Sequence, residues 1–196
     1  FTRELRLGVD GSRIRAGFIK IAVDDDGPKP PDEAVWRGAA RAAVTTGCTI
    51  GLHAPVTAQM KTVVAILESE GFNLQERFVW AHAEYGGTID DYKEMAGRGA
   101  FVSLDAVTVG GVPGDEAVLD LVEQMNAAGF LGNLLLSTDS TVFVKPPASQ
   151  YGYQNTYLFR VFKPKLEDRF GKQVTEQLLR DNVAFASLAR SLGARA

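Results

Sequence analysis

The chain contains two histidines, and both close short apolar runs. His53 ends Thr49-Ile50-Gly51-Leu52-His53, and His82 ends Phe78-Val79-Trp80-Ala81-His82, 29 residues further on. A single histidine in such a place is commonly a hydrogen-bonded core residue. Two at equivalent places also suit metal ligation, because neutral imidazole is a ready ligand for zinc and similar ions. Three other polar residues close comparable runs: Lys20 after Gly17-Phe18-Ile19, Asp105 after Phe101-Val102-Ser103-Leu104, and Asp139 after Leu134-Leu135-Leu136-Ser137-Thr138. A lysine in this setting either extends its head group to solvent or is buried. Burial lowers the amine pKa, and a neutral amine can add carbon dioxide to become an anionic carbamate with two ligand oxygens. Lys20 alone does not decide between these readings. Asp139 is either a turn or helix-capping residue, or a metal ligand that also accepts a proton from metal-bound water. Asp105 carries the same pair of readings.

The elements that must position these residues follow from the spacing. The polar residues at 20, 53, 82, 105 and 139 lie 33, 29, 23 and 34 residues apart, the size of repeated βα units. Near-continuous apolar runs suit parallel strands buried on both faces. Helical patterns fill the gaps. Asp32 to Thr46 is alanine-rich and stops at Gly47, and Thr57 can cap a helix burying Met60, Val63, Val64 and Leu67 before Gly71. Thr88-Ile89-Asp90-Asp91 resembles a capping box. Asp115 to Ala128 places Val118, Leu121, Val122 and Met125 on one face before Gly129. Two more helical stretches are expected at about Lys163–Phe170 and Val174–Leu192.

Strand–helix alternation of this kind means a parallel sheet with helices outside, as a barrel or as an open doubly wound sheet. An open nucleotide-binding sheet opens with a glycine-rich turn after its first strand. Here Gly97-Arg98-Gly99 precedes a strand instead. A barrel gathers reactive residues at the C-terminal ends of its strands, where all five polar residues fall. The expected fold is therefore an α/β (β/α)8 TIM barrel, of which residues 1–196 form a single domain carrying about strands 4–8 and the C-terminal helices. Three βα units would be missing in front. Such a portion by itself has two open sheet edges, and is expected to associate or be poorly soluble.

Composition narrows the function classes. Apolar residues make up 45% and charged residues 23%, with a formal net charge of -3. No basic patch points to nucleic acid. The run Asp24-Asp25-Asp26 reads as a solvated loop. Cys48, the one cysteine, reads as a buried structural thiol. No stretch approaches the ~20 apolar residues of a membrane span, and no signal peptide is visible. A cytoplasmic protein is favoured, although a chain beginning with Phe1 leaves a lost leader open.

Several motifs together resemble the phosphotriesterase family of the amidohydrolase superfamily. Ile14-Arg15-Ala16-Gly17-Phe18-Ile19-Lys20 resembles its carbamate-lysine strand. Gly51-Leu52-His53 and Trp80-Ala81-His82 resemble its next two ligand strands, and Leu136-Ser137-Thr138-Asp139 its last. Gln177 to Phe185 resembles its closing helix, with Val183 where the family usually has proline. The resemblance implies a binuclear metal-dependent hydrolase of small-molecule esters: lactones, carboxyl esters or phosphotriesters. It implies two divalent ions, often zinc, about 3.5–4 Å apart and sharing a hydroxide. Lys20 would bridge them as an N6-carboxylated lysine. His53 and His82 would hold the more exposed ion, and Asp139 would bind the buried one and take the proton. Asp105, Tyr85, Tyr151 and Tyr153 are expected to face substrate, the last two in an aromatic loop over residues 141–162. A homodimer is compatible with the family.

Three departures qualify this. The family's His-x-His pair on the first strand is absent from these residues. Tyr85 stands where bacterial phosphotriesterases have Asp, and Ala106 where they often have His. The loss of that proton shuttle favours a lactonase or carboxyl esterase. The alternative is a non-catalytic binding protein or inactive remnant on a degenerate barrel.

Overall fold

The structure, a computed structural model, describes residues 1–75, 77–108, 110–111, 113–139 and 154–185. The expected helical stretch beyond residue 185 and the loop residues 140–153 lie outside them. Five strands form one parallel sheet in the order β1-β2-β3-β4-β5. They are β1 (Ile19–Ala22), β2 (Ile50–His53), β3 (Phe78–Ala81), β4 (Phe101–Leu104) and β5 (Leu134–Leu136). Strand order equal to chain order, with helical crossovers, is the arrangement of consecutive units of a (β/α) barrel.

The two faces of the sheet differ sharply. The register aligns Ile21 with Leu52, and Leu52 with Trp80. It likewise aligns Trp80 with Val102, and Val102 with Leu134. All of these are buried beneath the helices. Each fully buried side chain of this size contributes about 1.5–3 kcal/mol relative to exposure. The opposite face carries Lys20, Ala22, Gly51, His53, Val79, Ala81 and Ser103. Burial on both faces holds along β4 but fails at β1, where Lys20 and Ala22 are exposed. The reason is positional: β1 has a strand neighbour on one side only among the described residues, and no described element covers its inner face.

The crossover helices follow the apolar pattern. Helix α1 is a short turn, Thr2–Arg6, and α2 spans Asp32–Thr46. Asp32 and Glu33 in its first turn suit the helix dipole, and Gly47 ends it with φ 76°, a left-handed conformation that glycine adopts without a Cβ clash. Trp36 is buried in α2 and donates from Nε1 to the Ala22 carbonyl at 3.0 Å, tying the helix to the end of β1. Helix α3 (Thr57–Ser69) buries Met60, Val63, Val64 and Leu67. Thr57 does not cap it. The Thr57 hydroxyl donates to the Gly86 carbonyl at 2.8 Å, so it ties the first turn of α3 to the loop before the next helix rather than satisfying a helix N–H. Helix α4 (Ile89–Gly97) starts with the expected capping box between Thr88 and Asp91. Helix α5 (Asp115–Ala127) buries Val118, Leu119, Val122 and Met125.

The tail is helical throughout its described part, as α6 (Gln154–Tyr157), α7 (Lys163–Glu176) and α8 (Asn182–Phe185) joined by wider turns. Gly171, with φ 79°, breaks α7 near the gap left between the two expected stretches. Asn182 closes the tail onto the sheet, donating from Nδ2 to the Leu131 and Leu134 carbonyls at 2.7 and 2.8 Å. Cys48 is buried, and burial raises its thiol pKa. Among the described residues no helix is long and apolar enough to cross a membrane.

Candidate functional site

The candidate site lies at the C-terminal ends of the strands. His53 is the last residue of β2 and points to the inner face, in register with Ala22 and Ala81. Strand alternation would send residue 82 to the opposite side, under the helices with Trp80. It does not, because β3 ends at Ala81 and His82 adopts a left-handed backbone with φ 63° and ψ 31°. That conformation costs a non-glycine residue about 1–3 kcal/mol. It brings the His82 ring edge-on to His53, with ring centroids 4.2 Å apart. Asp139 is also left-handed, with φ 37°. Of the three described non-glycine residues with positive φ, two are thus sequence-predicted ligands.

The floor beneath this turn is buried and hydrogen-bonded. Trp80 is fully buried, donates to the Ala54 carbonyl at 2.7 Å, and meets the Tyr92 ring edge-on. The Tyr92 hydroxyl lies 3.0 Å from the carbonyls of both Ala83 and Gly87, which share its one proton, and so braces the turn that follows His82.

His82 is held from behind by Asp105. The Asp105 Oδ1 lies 2.6 Å from His82 Nδ1, and Oδ2 accepts from the His82 backbone N–H at 2.9 Å. A carboxylate only accepts, so the imidazole donates from Nδ1, and in the neutral ring that tautomer leaves the Nε2 lone pair for a ligand. Asp105 was expected to face substrate. It is 5% exposed, sits behind His82, and does not line the cavity in front. Glu84, which no local pattern singles out, supports this arrangement. Its Oε1 accepts from the backbone N–H groups of Asp105 and Ala106. Burial, and then the neighbouring Asp105 charge, push the Glu84 carboxyl up to about 7.

A cavity of about 310 Å³ is lined by His53, His82, Asp139, Tyr85, Asp25 and Pro55. Asp25 is a lining residue that the apolar-run pattern could not reveal, since it sits in the loop after β1. Tyr85 is 55% exposed, with its ring 6.1 Å from that of His82. Tyr151 and Tyr153 lie outside the described residues. Lys20 is exposed rather than buried and does not line this cavity, yet it lies beside the site. A Cβ added at Gly51 would meet Lys20 Cδ at 3.8 Å, so the lysine stem lies over the strand that ends in His53. The electrostatics agree. The His53 pKa is lowered by burial first, then by His82 and Lys20, against the opposing pull of Asp105 and Asp139. All five sequence-singled residues at strand ends therefore bear on one place.

Their fit to a metal is partial. Two imidazoles and a carboxylate on one cavity are a suitable donor set for a divalent ion. Among the described residues, however, no group of three or more His, Cys, Asp or Glu side chains is placed to hold one. A larger cavity, about 710 Å³, opens at the other ends of the strands beside Gln75, Phe101, Asn133 and Gln177, away from both histidines.

Parallel strands in chain order, with a polar centre at their carboxyl ends, define a (β/α)-barrel protein of the kind whose chemistry sits on that rim. Comparison with known proteins gives the family. The phosphotriesterase family model matches residues 1–185, and the chain belongs to that family. The chain is 28% identical over 181 residues to the phosphotriesterase homology protein of Escherichia coli, covering 91% of this chain and 61% of that protein. It therefore spans about three-fifths of the length of that relative. It is 32% identical over 108 residues to an aryldialkylphosphatase of Saccharolobus solfataricus, covering 54% of this chain and 33% of that protein. The crystal structure of the Escherichia coli protein with phosphate in its active site superimposes with a TM-score of 0.79 at 26% identity, covering 92% of this chain and 62% of that one. A lactonase from Listeria monocytogenes shares the fold with a TM-score of 0.81 at 22% identity, over 94% and 58% of the two chains.

Proposed function

We propose that this chain carries part of the active site of a metal-dependent hydrolase of small-molecule esters. The observation that carries the proposal is the pairing of His53 and His82 at 4.2 Å on a cavity shared with Asp139. The similarity to an aryldialkylphosphatase and to a protein that holds phosphate in its active site supports an ester or phosphoester substrate.

In this reading His53 and His82 would hold one divalent cation through ring nitrogens, and Asp139 would hold a second. Zinc is the expected species. When bound, such ions supply Lewis-acid polarisation of the substrate oxygen and an activated water. The protein's own residues do the rest. Asp105 fixes the His82 tautomer so that Nε2 is free to ligate. Lys20, if carboxylated on its amine, would contribute anionic oxygens from the adjacent strand, a role that requires cover over the inner face of β1 beyond what the described residues provide. Asp139 receives the proton released as water attacks the ester. Tyr85 and Asp25 border the substrate. Tyr85 and Ala106 stand where efficient organophosphate hydrolases of the family carry a proton shuttle, which favours lactones or carboxyl esters over phosphotriesters.

The test is ester hydrolysis by the full-length protein supplied with zinc and bicarbonate. Lactone or carboxyl-ester turnover that is abolished by His82→Ala and by chelation is expected. No turnover of any of the three ester classes would remove the proposal. A binding role without catalysis is the second reading, favoured by the absence of a three-residue His, Cys, Asp or Glu metal group among the described residues.

A further inference from the structure

Glu84 is a carboxyl group placed in the interior, with no partner of opposite charge among the described residues. It is 9% exposed, and its Oε2 is buried without a hydrogen-bond partner among the described residues. Burying an acid in this way is costly unless it does something for the fold or the site. Its other oxygen, Oε1, accepts from two consecutive backbone N–H groups, those of Asp105 (2.7 Å) and Ala106. These belong to the segment just beyond β4, where the chain leaves the sheet and regular ladder partners end. Asp105 is itself the residue whose two oxygens grip His82 at its backbone and at Nδ1.

We propose that Glu84 is a positioning residue for the site, clamping the backbone at Asp105 and Ala106 so that Asp105 holds the His82 imidazole in its Nδ1–H tautomer. The relay is short and closed. Glu84 follows His82 by two residues, crosses to β4's end, and the carboxylate of Asp105 returns to His82. A residue two positions along the same turn thereby controls which ring nitrogen of His82 faces the cavity. Without the clamp, Asp105 can turn on its backbone, and the imidazole is free to exchange its proton between nitrogens. The consequence for metal affinity rests on the hydrolase reading above; the consequence for the imidazole does not.

The experiment uses residues 1–196, whose two histidines make the imidazole nitrogen spectrum simple to assign. Glu84→Gln keeps an oxygen acceptor for both N–H groups, while Glu84→Leu keeps the volume and removes the acceptor. Long-range proton–nitrogen spectra of the wild type and Glu84→Gln are expected to show His82 as the Nδ1–H tautomer. Glu84→Leu is expected to show a tautomer mixture and a zinc affinity reduced by about tenfold, the lower end of the effect of losing a supporting hydrogen bond behind a ligand. A purely structural role would lower stability without moving the tautomer. A Glu84→Leu protein with an unchanged His82 tautomer overturns the proposal. Should Glu84→Leu fail to fold, amide exchange in the wild type decides: slow exchange at Asp105 and Ala106 supports the clamp, and exchange at unprotected rates overturns it. Should the wild type bind no zinc, the metal reading fails while the tautomer still judges the clamp.

Discussion

The candidate site has two unequal halves. His82 is backed by Asp105, Glu84, Trp80 and Tyr92, all buried: Asp105 bonds His82, Glu84 bonds the Asp105 backbone, and Trp80 and Tyr92 bond backbone carbonyls of the neighbouring turns. Lys20, on the other side, is exposed on β1, a strand with one neighbour among the described residues. The comparison teaches that ligand type and ligand placement are separate problems. On the His82 side this chain's own packing fixes the geometry. On the Lys20 side the residue is present at the right strand end, but its inner face has no cover from described elements.

The largest effect that bears on this contrast is expected at Trp80. Trp80→Ala removes a fully buried ring and leaves the Ala54 carbonyl without its donor. A loss of about 3–5 kcal/mol is expected for such a truncation, measurable by denaturant unfolding. A loss under 1 kcal/mol would mean that the His82 half is not rigid. Next is Asp105→Ala, which strips the buried His82 N–H and Nδ1–H of their acceptor. It is expected to cost about 1–3 kcal/mol and to release the His82 ring, visible as faster exchange of its imidazole proton.

A smaller effect, remote from the site, calibrates the surface. Glu70 joins α2 to the end of α3 through Arg37 and Arg41, and these guanidinium partners lower its pKa to about 2. A carboxyl depressed in the folded state stabilises fully above its unfolded value and loses that contribution as pH falls through the folded value. The stability gap between wild type and Glu70→Gln is therefore expected to be constant from neutral pH down to about 4.5, the unperturbed value. It should close between there and about 2. A gap independent of pH over that window would show that the ion pairs contribute nothing. The smallest change is expected for Lys20→Ala, within about 0.5 kcal/mol in the metal-free protein, as for other exposed side chains. A larger loss would place Lys20 in the packed half and erase the contrast.

Much of the fold was legible in the sequence because it depends on local pattern. The five apolar runs became the five strands. The stops at Gly47 and Gly129 and the Thr88–Asp91 capping box were read correctly because glycine conformation and capping act within a few residues. The strand-end positions of His53 and His82 were legible for the same reason. What was missed depends on contacts between distant segments. Thr57 looked like a cap, but its better partner, the Gly86 carbonyl, lies 29 residues away. Asp105 looked like a strand-end residue open to substrate, but the backbone reversal at His82 places an imidazole in front of it. Glu84 carried no local signal, since its partners lie 21 and 22 residues along the chain. The apolar neighbours of Lys20 leave exposure and burial both open, because exposure on a sheet is set by what covers the strand.

We propose that His53, His82 and Asp139, with Lys20 beside them, hold divalent metal ions. Zinc titration of the chain by calorimetry in bicarbonate buffer tests it most directly. Saturable zinc binding that is lost in both His53→Ala and His82→Ala is the expected result. Zinc binding of equal strength in the double variant, or none in the wild type, would contradict it.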